Sequence, residues 1–155
     1  MLKKSLLFVL FCCGLGLLLW GPPWGQIDAS KLLPAHQAFA PQVFASEDGI
    51  KVQFAVADGY YLYRSKIRLE TTPAQVLGPA QFSPGKPKQD EFFGPQEVYY
   101  HVAEITVPYT HSAPDPYVLR IEHQGCADVG ICYPPSQASF KINGTGLFQA
   151  DDAPK

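Results

Sequence analysis

Short stretches in which apolar and polar residues alternate recur along the chain and predict β-strands, because successive strand side chains point to opposite faces. Residues 50–56 show the most regular alternation, with Ile50, Val52, Phe54 and Val56 on one side. This segment therefore predicts a half-buried strand that directs those four side chains into a core.

Other stretches have the same strand-like character. They are residues 60–63, 66–70, 75–77, 98–109, 117–122 and 139–142. After residue 24 no segment has a sustained helical period, and turn-forming Gly and Pro separate the apolar runs. About seven short strands of this kind predict an all-β, antiparallel β-sandwich. We expect it to span residues 25–143, followed by a flexible tail at residues 144–155.

The composition supports a packed core and argues against nucleic acid as a partner. The 155 residues are 46% apolar and 17% charged, with 15 Pro, 13 Gly and a formal net charge of −2. This apolar content can fill the interior of one domain. No basic stretch follows the N-terminus, so the electrostatic signature of a nucleic-acid-binding surface is missing from the sequence.

Residues 1–24 predict export. Lys3 and Lys4 precede an uncharged run at residues 5–20, which ends before Gly21 and two prolines. This order is typical of a secretory signal peptide. An uncleaved membrane anchor is the other interpretation, although sixteen helical residues extend only about 24 Å against a hydrocarbon core of about 30 Å. Either interpretation places the domain in the periplasm, where disulfides persist.

The cysteines divide into two groups. Cys12 and Cys13 lie inside the apolar run and are interpreted as apolar filler. Removal of the leader would leave only Cys126 and Cys132, which can pair in a single way. Five residues separate them, so a disulfide would close a loop of about seven residues, worth roughly 2.4 kcal/mol by loop entropy.

Spacing alone leaves three interpretations of this pair open. A redox centre and a structural staple are both compatible with it. A metal site with His123 as third ligand is disfavoured, because a closed zinc site needs four ligands and the spacing fits no common finger pattern. We therefore expect no metal.

Three separated motifs resemble the N-terminal periplasmic domain of the disulfide-interchange reductase DsbD, and they occur in the same order. They are QGCADVGICYPP at residues 124–135, DGYYLYR at 58–64 and DEFFG at 90–94, and residues 34–39 resemble that domain's first segment. The resemblance covers about residues 33–142. It implies an immunoglobulin-like sandwich and thiol–disulfide exchange.

The resemblance also implies roles for individual residues. Cys132 would form mixed disulfides with partner proteins, and Cys126 would resolve them. Tyr61 and Tyr63 would lie beside the active site. His123 departs from the aromatic residue expected at its position, and we interpret it as a surface residue of a strand.

A cap loop is implied as well. It consists of Asp90, Glu91, Phe92, Phe93 and Gly94, with Phe92 as the residue covering the disulfide. A carboxylate of this loop near Cys132 would disfavour the thiolate, which is the reactive form. An aromatic lid would exclude stray thiols until a partner opens it.

The implied function is that of a protein-disulfide reductase whose only redox group is a Cys126–Cys132 disulfide, with no other cofactor. Electrons would come from a thioredoxin-like donor and pass to periplasmic disulfide isomerases or cytochrome-maturation thioredoxins. DsbD itself continues into a membrane-embedded electron carrier and a C-terminal thioredoxin-like domain, so a chain ending at Lys155 would need a separate donor or would serve a different partner. The alternative is a non-catalytic binding or chaperone-like sandwich with a structural disulfide.

Overall fold

The computed structural model describes residues 29–150 and consists almost entirely of antiparallel strands. The few helical turns are two 3-10 turns at Ala29–Lys31 and Arg64–Lys66 and one helix, α1, at Ala35–Ala38. The strands are β1 Phe39–Ala45, β2 Gly49–Val56, β3 Tyr60–Tyr63, β4 Arg68–Thr72, β5 Gln81–Phe82, β6 Lys86–Asp90, β7 Gly94–Tyr99, β8 Val102–Pro108, β9 Tyr117–His123, β10 Gly125–Ala127, β11 Ile131–Cys132, β12 Ser136–Ile142 and β13 Gly146–Gln149. Within residues 29–150, no helix is long and apolar enough to span a bilayer. The predicted leader, residues 1–24, lies outside the described residues.

Three antiparallel sheets build the domain. The strand order is β13-β1-β2-β8-β5 in the first, β11-β10-β3-β7-β6 in the second and β12-β9-β4 in the third. The prediction of an all-β antiparallel fold is therefore confirmed.

One continuous core joins the inner faces of these sheets. Phe54 from β2, Leu62 from β3, Leu119 from β9 and Phe140 from β12 are all fully buried in it. The four side chains predicted to point inward from residues 50–56 are all buried, as strand alternation requires.

The second sheet carries a smaller cluster on its other face. Tyr60 and Leu62 belong to the main core, whereas Tyr61 and Tyr63 pack with Val98 in a separate group. All four residues of β3 are thus buried, two on each side. This double burial explains the uninterrupted apolar character of the segment and creates the second cluster, in which the cysteines lie.

The stretch at residues 98–109, predicted as one strand, is divided between two sheets. β7 ends at Tyr99 in the second sheet, and β8 begins at Val102 in the first. Between them His101 has a φ of 64°, a left-handed conformation that bulky residues seldom adopt. Its carbonyl accepts a hydrogen bond from the Val56 amide, at 2.8 Å. The chain changes sheet at this residue.

The predicted tail differs from the structure at residues 146–149, which form β13. This strand pairs with β1 along four residues, from Gly146 opposite Ala45 to Gln149 opposite Gln42. Phe148 packs against the main core. Burial of this side chain and the hydrogen bonds to β1 stabilise the segment as a strand.

Candidate active site around Cys126 and Cys132

Cys126 and Cys132 form a disulfide across two adjacent antiparallel strands. The two residues lie directly opposite each other in the register of β10 and β11. Cys126 is completely buried, whereas Cys132 is partly exposed. A thiol from solvent or from another protein can therefore approach Cys132 more easily than Cys126.

Gly125 allows β10 to lie close to its neighbours. A Cβ atom at this position would lie 2.4 Å from the Tyr61 carbonyl oxygen and 2.6 Å from two ring atoms of Phe39. These are distances that non-bonded atoms cannot reach without displacement. A glycine is needed here for close approach rather than for an unusual φ. Its lack of a side chain allows the backbone next to Cys126 to lie against Tyr61 and Phe39.

Tyr63 brings the cysteines into contact with a polar group. Its hydroxyl oxygen lies 3.1 Å from the Cys126 sulfur and 3.9 Å from the Cys132 sulfur. The same hydroxyl donates a 2.6 Å hydrogen bond to Asp90 Oδ2. Tyr61, whose ring packs edge-on against Tyr63, also donates to this oxygen, at 3.0 Å. Sulfur, phenol and carboxylate thus form one connected group.

Asp90 links that group to the cap loop. Its second oxygen, Oδ1, accepts hydrogen bonds from the backbone amides of Phe92 at 2.9 Å and Phe93 at 3.0 Å. The carboxylate is buried, with 5% of its surface exposed. Four donors therefore hold one side chain, which is the arrangement that lets a buried carboxylate stay ionised.

These contacts set the acidities of the group. Burial acts to raise the pKa of the Asp90 carboxyl, but the hydrogen bonds from Tyr63, the two loop amides and Tyr61 outweigh it and lower this pKa below its ordinary value. Burial raises the pKa of the Tyr63 phenol, and the bond to Asp90 raises it further. At neutral pH the carboxylate is charged, and the phenol keeps its proton.

The two phenylalanines of the loop have different surroundings. The Phe93 ring contacts Tyr63 edge-on, with centroids 5.2 Å apart, and the Lys66 ammonium lies over the Phe93 ring, 4.4 Å from its centroid. Phe92 is 63% exposed. Glu91 is exposed as well, and Gly94 adopts a φ of 69° that returns the chain into β7. The five predicted cap residues thus form one turn beside Tyr63.

Two residues of the site were not identified from the sequence. Lys88 on β6 places its ammonium 4.4 Å from the centre of the Tyr61 ring, and Tyr100 packs against the same ring at 5.9 Å. Their positions depend on the pairing of β6 with β7 and β3 with β7. The Tyr99-Tyr100 doublet was the available signal, because two consecutive side chains of an extended segment point to opposite sides.

The interpretation of His123 as a surface residue is wrong. It is 3% exposed, and its ring contacts Phe39 and Phe54. Neither ring nitrogen has a hydrogen-bond partner of normal geometry among the described residues. Burial lowers the pKa of this imidazole to about 4, so it is neutral at pH 7. In the described part of the chain, no three potential metal-ligating side chains cluster.

Sequence comparison identifies relatives along most of the chain. The family model described as thiol:disulfide interchange protein DsbD, N-terminal, matches residues 29–144. DsbD of Neisseria meningitidis serogroup A is 47% identical over 122 residues, which cover 79% of this chain and 20% of that protein. DsbD of Escherichia coli K12 is 35% identical over 123 residues, covering 77% and 21%. The chain spans about a fifth of the length of these relatives.

Solved structures match over nearly their whole length. The reduced form of the N. meningitidis DsbD N-terminal domain aligns with a TM-score of 0.78 and 46% identity, covering 80% of this chain and 99% of that one. The same domain in complex with the PilB N-terminal domain aligns with a TM-score of 0.70 and 45% identity, covering 81% and 98%. The immunoglobulin-like fold implied by the sequence motifs is thereby confirmed.

Proposed function

Because this chain belongs to the family of DsbD N-terminal domains, we propose that it passes reducing equivalents between proteins by thiol–disulfide exchange at Cys126 and Cys132. The observation that carries this proposal is the unequal exposure of the two sulfurs. Cys132 is partly exposed, and Cys126 is fully buried beside Tyr63. An exchange site needs one sulfur that a partner can reach and a second that is protected from it.

The unequal exposure of the two sulfurs supports one order of the two reaction steps. In the reduced domain the Cys132 thiolate attacks the disulfide of a partner, and one partner sulfur leaves as a thiolate and takes up a proton. The Cys126 thiolate then attacks the Cys132 sulfur, and the second partner sulfur leaves in the same way. Two electrons and two protons pass to the partner, and the domain retains the Cys126–Cys132 disulfide. The two sulfurs carry this chemistry without a further cofactor.

Asp90 and Tyr63 would restrain the reduced pair between encounters. The phenol donates its proton to Asp90 at 2.6 Å, so after reduction the phenol oxygen, 3.1 Å from the Cys126 sulfur, would accept a hydrogen bond from the Cys126 thiol. A hydrogen bond accepted from the thiol and a nearby negative charge both favour the protonated form of cysteine. The reduced domain would thus react slowly with stray disulfides, and displacement of the cap loop by a partner would remove the restraint.

The partners that fit this scheme are other thiol–disulfide proteins. A solved structure contains a relative of this domain in complex with the PilB N-terminal domain, which supports a second protein as the partner. We infer that a thioredoxin-like donor reduces Cys126–Cys132, and that the domain acts as a protein-disulfide reductase in the periplasm. Disulfide isomerases and cytochrome-maturation thioredoxins are the acceptors we propose.

Trapping of mixed disulfides tests this proposal directly. A Cys126→Ser variant lacks the resolving thiol and should accumulate covalent complexes through Cys132 in periplasmic extract. The matched Cys132→Ser variant retains only the buried thiol and should accumulate few. Complexes are detected on non-reducing gels and identified by mass spectrometry.

Two outcomes would overturn the proposal. One is the absence of trapped partners when Cys132 of the Cys126→Ser variant reacts readily with an alkylating reagent. The other is a reduction potential well below about −300 mV together with unfolding on reduction, which is the behaviour of a structural disulfide. Either result would favour a binding or chaperone-like sandwich.

A further inference from the structure

Tyr133, the residue directly after Cys132, is attached to its surroundings through both its backbone and its side chain. Its amide donates a hydrogen bond to the Gly125 carbonyl at 3.0 Å, and its carbonyl accepts one from Gln124 Nε2 at 2.9 Å. The backbone on the C-terminal side of Cys132 is therefore fixed against the segment that leads into Cys126.

The Tyr133 side chain reaches a distant part of the chain. Its hydroxyl donates a 2.6 Å hydrogen bond to the carbonyl oxygen of Leu33. The amide of Leu33 in turn donates to the Tyr60 hydroxyl at 2.8 Å. Both polar groups of one peptide residue are thus bound by two tyrosines. We call Leu33, Tyr60 and Tyr133 the Leu33 clasp.

Ring packing fixes the direction of the Tyr133 side chain. The ring contacts Phe39 edge-on, with centroids 5.5 Å apart, and lies 6.2 Å from the ring of Tyr60. Phe39 is the same residue that leaves no space for a side chain at Gly125. Phe39 therefore contacts both the Tyr133 ring of the clasp and Gly125 of β10.

The strand that carries Cys132 has few other attachments. β11 contains two residues, and the strand with which it pairs in the described part of the chain is β10. It begins directly after Gly130, whose φ of 90° is accessible mainly to glycine. When the disulfide opens, this short pairing, the hydrogen bond from the Gly130 amide to the Ala127 carbonyl at 2.9 Å and the attachments of Tyr133 remain to hold Cys132 opposite Cys126.

We propose that Tyr133 is a positioning residue, which through the Leu33 clasp keeps Cys132 within reach of Cys126 while the disulfide is open. The inference rests on the proposed exchange function and assigns Tyr133 a part in the second step. In that step the Cys126 thiolate bonds to the Cys132 sulfur, the bond from Cys132 to the partner breaks, and the partner sulfur leaves with the electron pair. No hydrogen bond of the clasp involves a sulfur atom, so cleavage of the S–S bond breaks none of them.

The clasp acts through the effective concentration of one thiol at the other. Holding two reacting groups together favours their bond, because the freedom lost on bond formation has already been lost. Loosening Cys132 should therefore make the disulfide less stable relative to the dithiol and slow the release of a partner. Both effects are measurable without knowing the natural partner.

The test compares Tyr133→Phe with Tyr109→Phe in the full chain. Each variant loses one tyrosine hydroxyl and one hydrogen bond, since Tyr109 bonds to Tyr117 at 3.0 Å, at the opposite end of β9 from the cysteines. The oxidised fraction is measured in glutathione redox buffers by alkylation. We expect the equilibrium constant for disulfide formation to fall about fivefold in Tyr133→Phe, which corresponds to about 20 mV towards a less negative potential. Tyr109→Phe should leave it unchanged.

A second clasp variant and the rate of glutathione release distinguish a positioning role of Tyr133 from a general loss of folding. Tyr60→Phe removes the other hydroxyl of the clasp and should shift the potential in the same direction. Reduced protein mixed with oxidised glutathione should release glutathione from Cys132 more slowly in both clasp variants. Equal potentials and release rates in Tyr133→Phe, Tyr60→Phe and the control would overturn the inference. If the unmodified chain also failed to exchange, the proposed function itself would be wrong.

Discussion

The Tyr63 hydroxyl donates a 2.6 Å hydrogen bond to the buried carboxylate of Asp90, and its oxygen lies against the Cys126 sulfur. The phenol therefore links the carboxylate to the sulfur. Because the phenol has a single proton and gives it to Asp90, it offers the sulfur an acceptor and no donor. The acidity of the cysteine thiols should therefore depend on a residue that belongs to the cap loop.

Replacing Asp90 by Asn should increase the acidity of the thiols in the reduced protein. The substitution removes a negative charge and frees the phenol proton to stabilise a thiolate, so the Cys126 thiol pKa should fall by on the order of one unit. The pH profile of thiolate ultraviolet absorbance measures this pKa. Glu91→Gln is the matched control, because Glu91 is the adjacent, exposed carboxylate. An equal fall in both variants would rule out a specific role for Asp90.

Substitution of Phe93 should affect the stability of the fold, whereas substitution of Phe92 should affect the access of thiols to the disulfide. Phe93→Ala removes the edge contact with Tyr63 and should lower the free energy of unfolding by about 1 kcal/mol. Phe92→Ala removes a side chain that is 63% exposed and should change it by less than about 0.5 kcal/mol.

The expected effect of Phe92→Ala is on reactivity. If Phe92 is the lid, reduction of the disulfide by dithiothreitol should become severalfold faster in this variant at unchanged stability. Stopped-flow or quenched alkylation gives the rate. An unaltered rate in Phe92→Ala would assign shielding to another residue.

His123 should make the stability of the domain sensitive to mild acid. Its folded-state pKa of about 4 lies below the ordinary 6.5, so between these values the unfolded chain binds a proton that the native state excludes. The contribution to stability is complete above pH 6.5 and decreases by about 3 kcal/mol as the pH falls to 4. Urea titrations across this range give the free energy of unfolding.

His123→Phe should remove this pH dependence. The new ring would lie among Phe39 and Phe54 and would carry no unpaired nitrogen, so stability at pH 7 should be retained or increased. His36→Phe, at an exposed position of α1, should leave the pH dependence intact. A variant at position 123 that still loses the same stability in acid would contradict this account.

Gly125 and Gly130 should respond differently to alanine. At Gly125 the added methyl group meets the Tyr61 carbonyl and the Phe39 ring, so the loss in unfolding free energy should reach about 3 kcal/mol or more. At Gly130 nothing lies within 4 Å, and the cost is the left-handed backbone, about 1 kcal/mol. Thermal unfolding of the oxidised proteins compares the two, and similar losses would mean that the close approach at Gly125 is relieved by movement.

Local patterns predicted the fold class, and the family resemblance implied some of the residues that line the site. Alternation at residues 50–56 predicted which side chains are buried, because a strand has a fixed period of two. The order of three separated motifs predicted that Tyr61, Tyr63 and the loop at residues 90–94 lie near the cysteines. Each of these predictions depends on residues that are close in sequence or on a resemblance that spans the fold.

The predictions that failed depend on contacts between distant segments. His101 turns the chain from one sheet into another without a glycine or proline to mark the break. Residues 146–149 form a short segment that begins at a glycine, and they form a strand because β1 offers a free edge and Phe148 reaches the core. His123 is buried because its ring contacts Phe39 and Phe54, which come from distant segments of the chain. The Leu33 clasp joins residues 100 positions apart, which no local pattern can predict.

The four hydrogen bonds to Asp90 couple the position of the cap loop to the chemical state of the cysteines. Two come from tyrosines beside the sulfurs, and two come from the backbone of the cap loop. Thermodynamic reciprocity then requires that if displacing the loop changes the proton affinity of a cysteine, ionising that cysteine changes the loop equilibrium by the same free energy. If displacing the loop changes the reduction potential of the pair, oxidising the pair likewise changes the loop equilibrium by the corresponding free energy. The fraction of molecules with an open cap loop would then differ between the oxidised and the reduced domain. A partner that binds the open loop more tightly than the closed loop would therefore distinguish the two redox states before it contacts a sulfur.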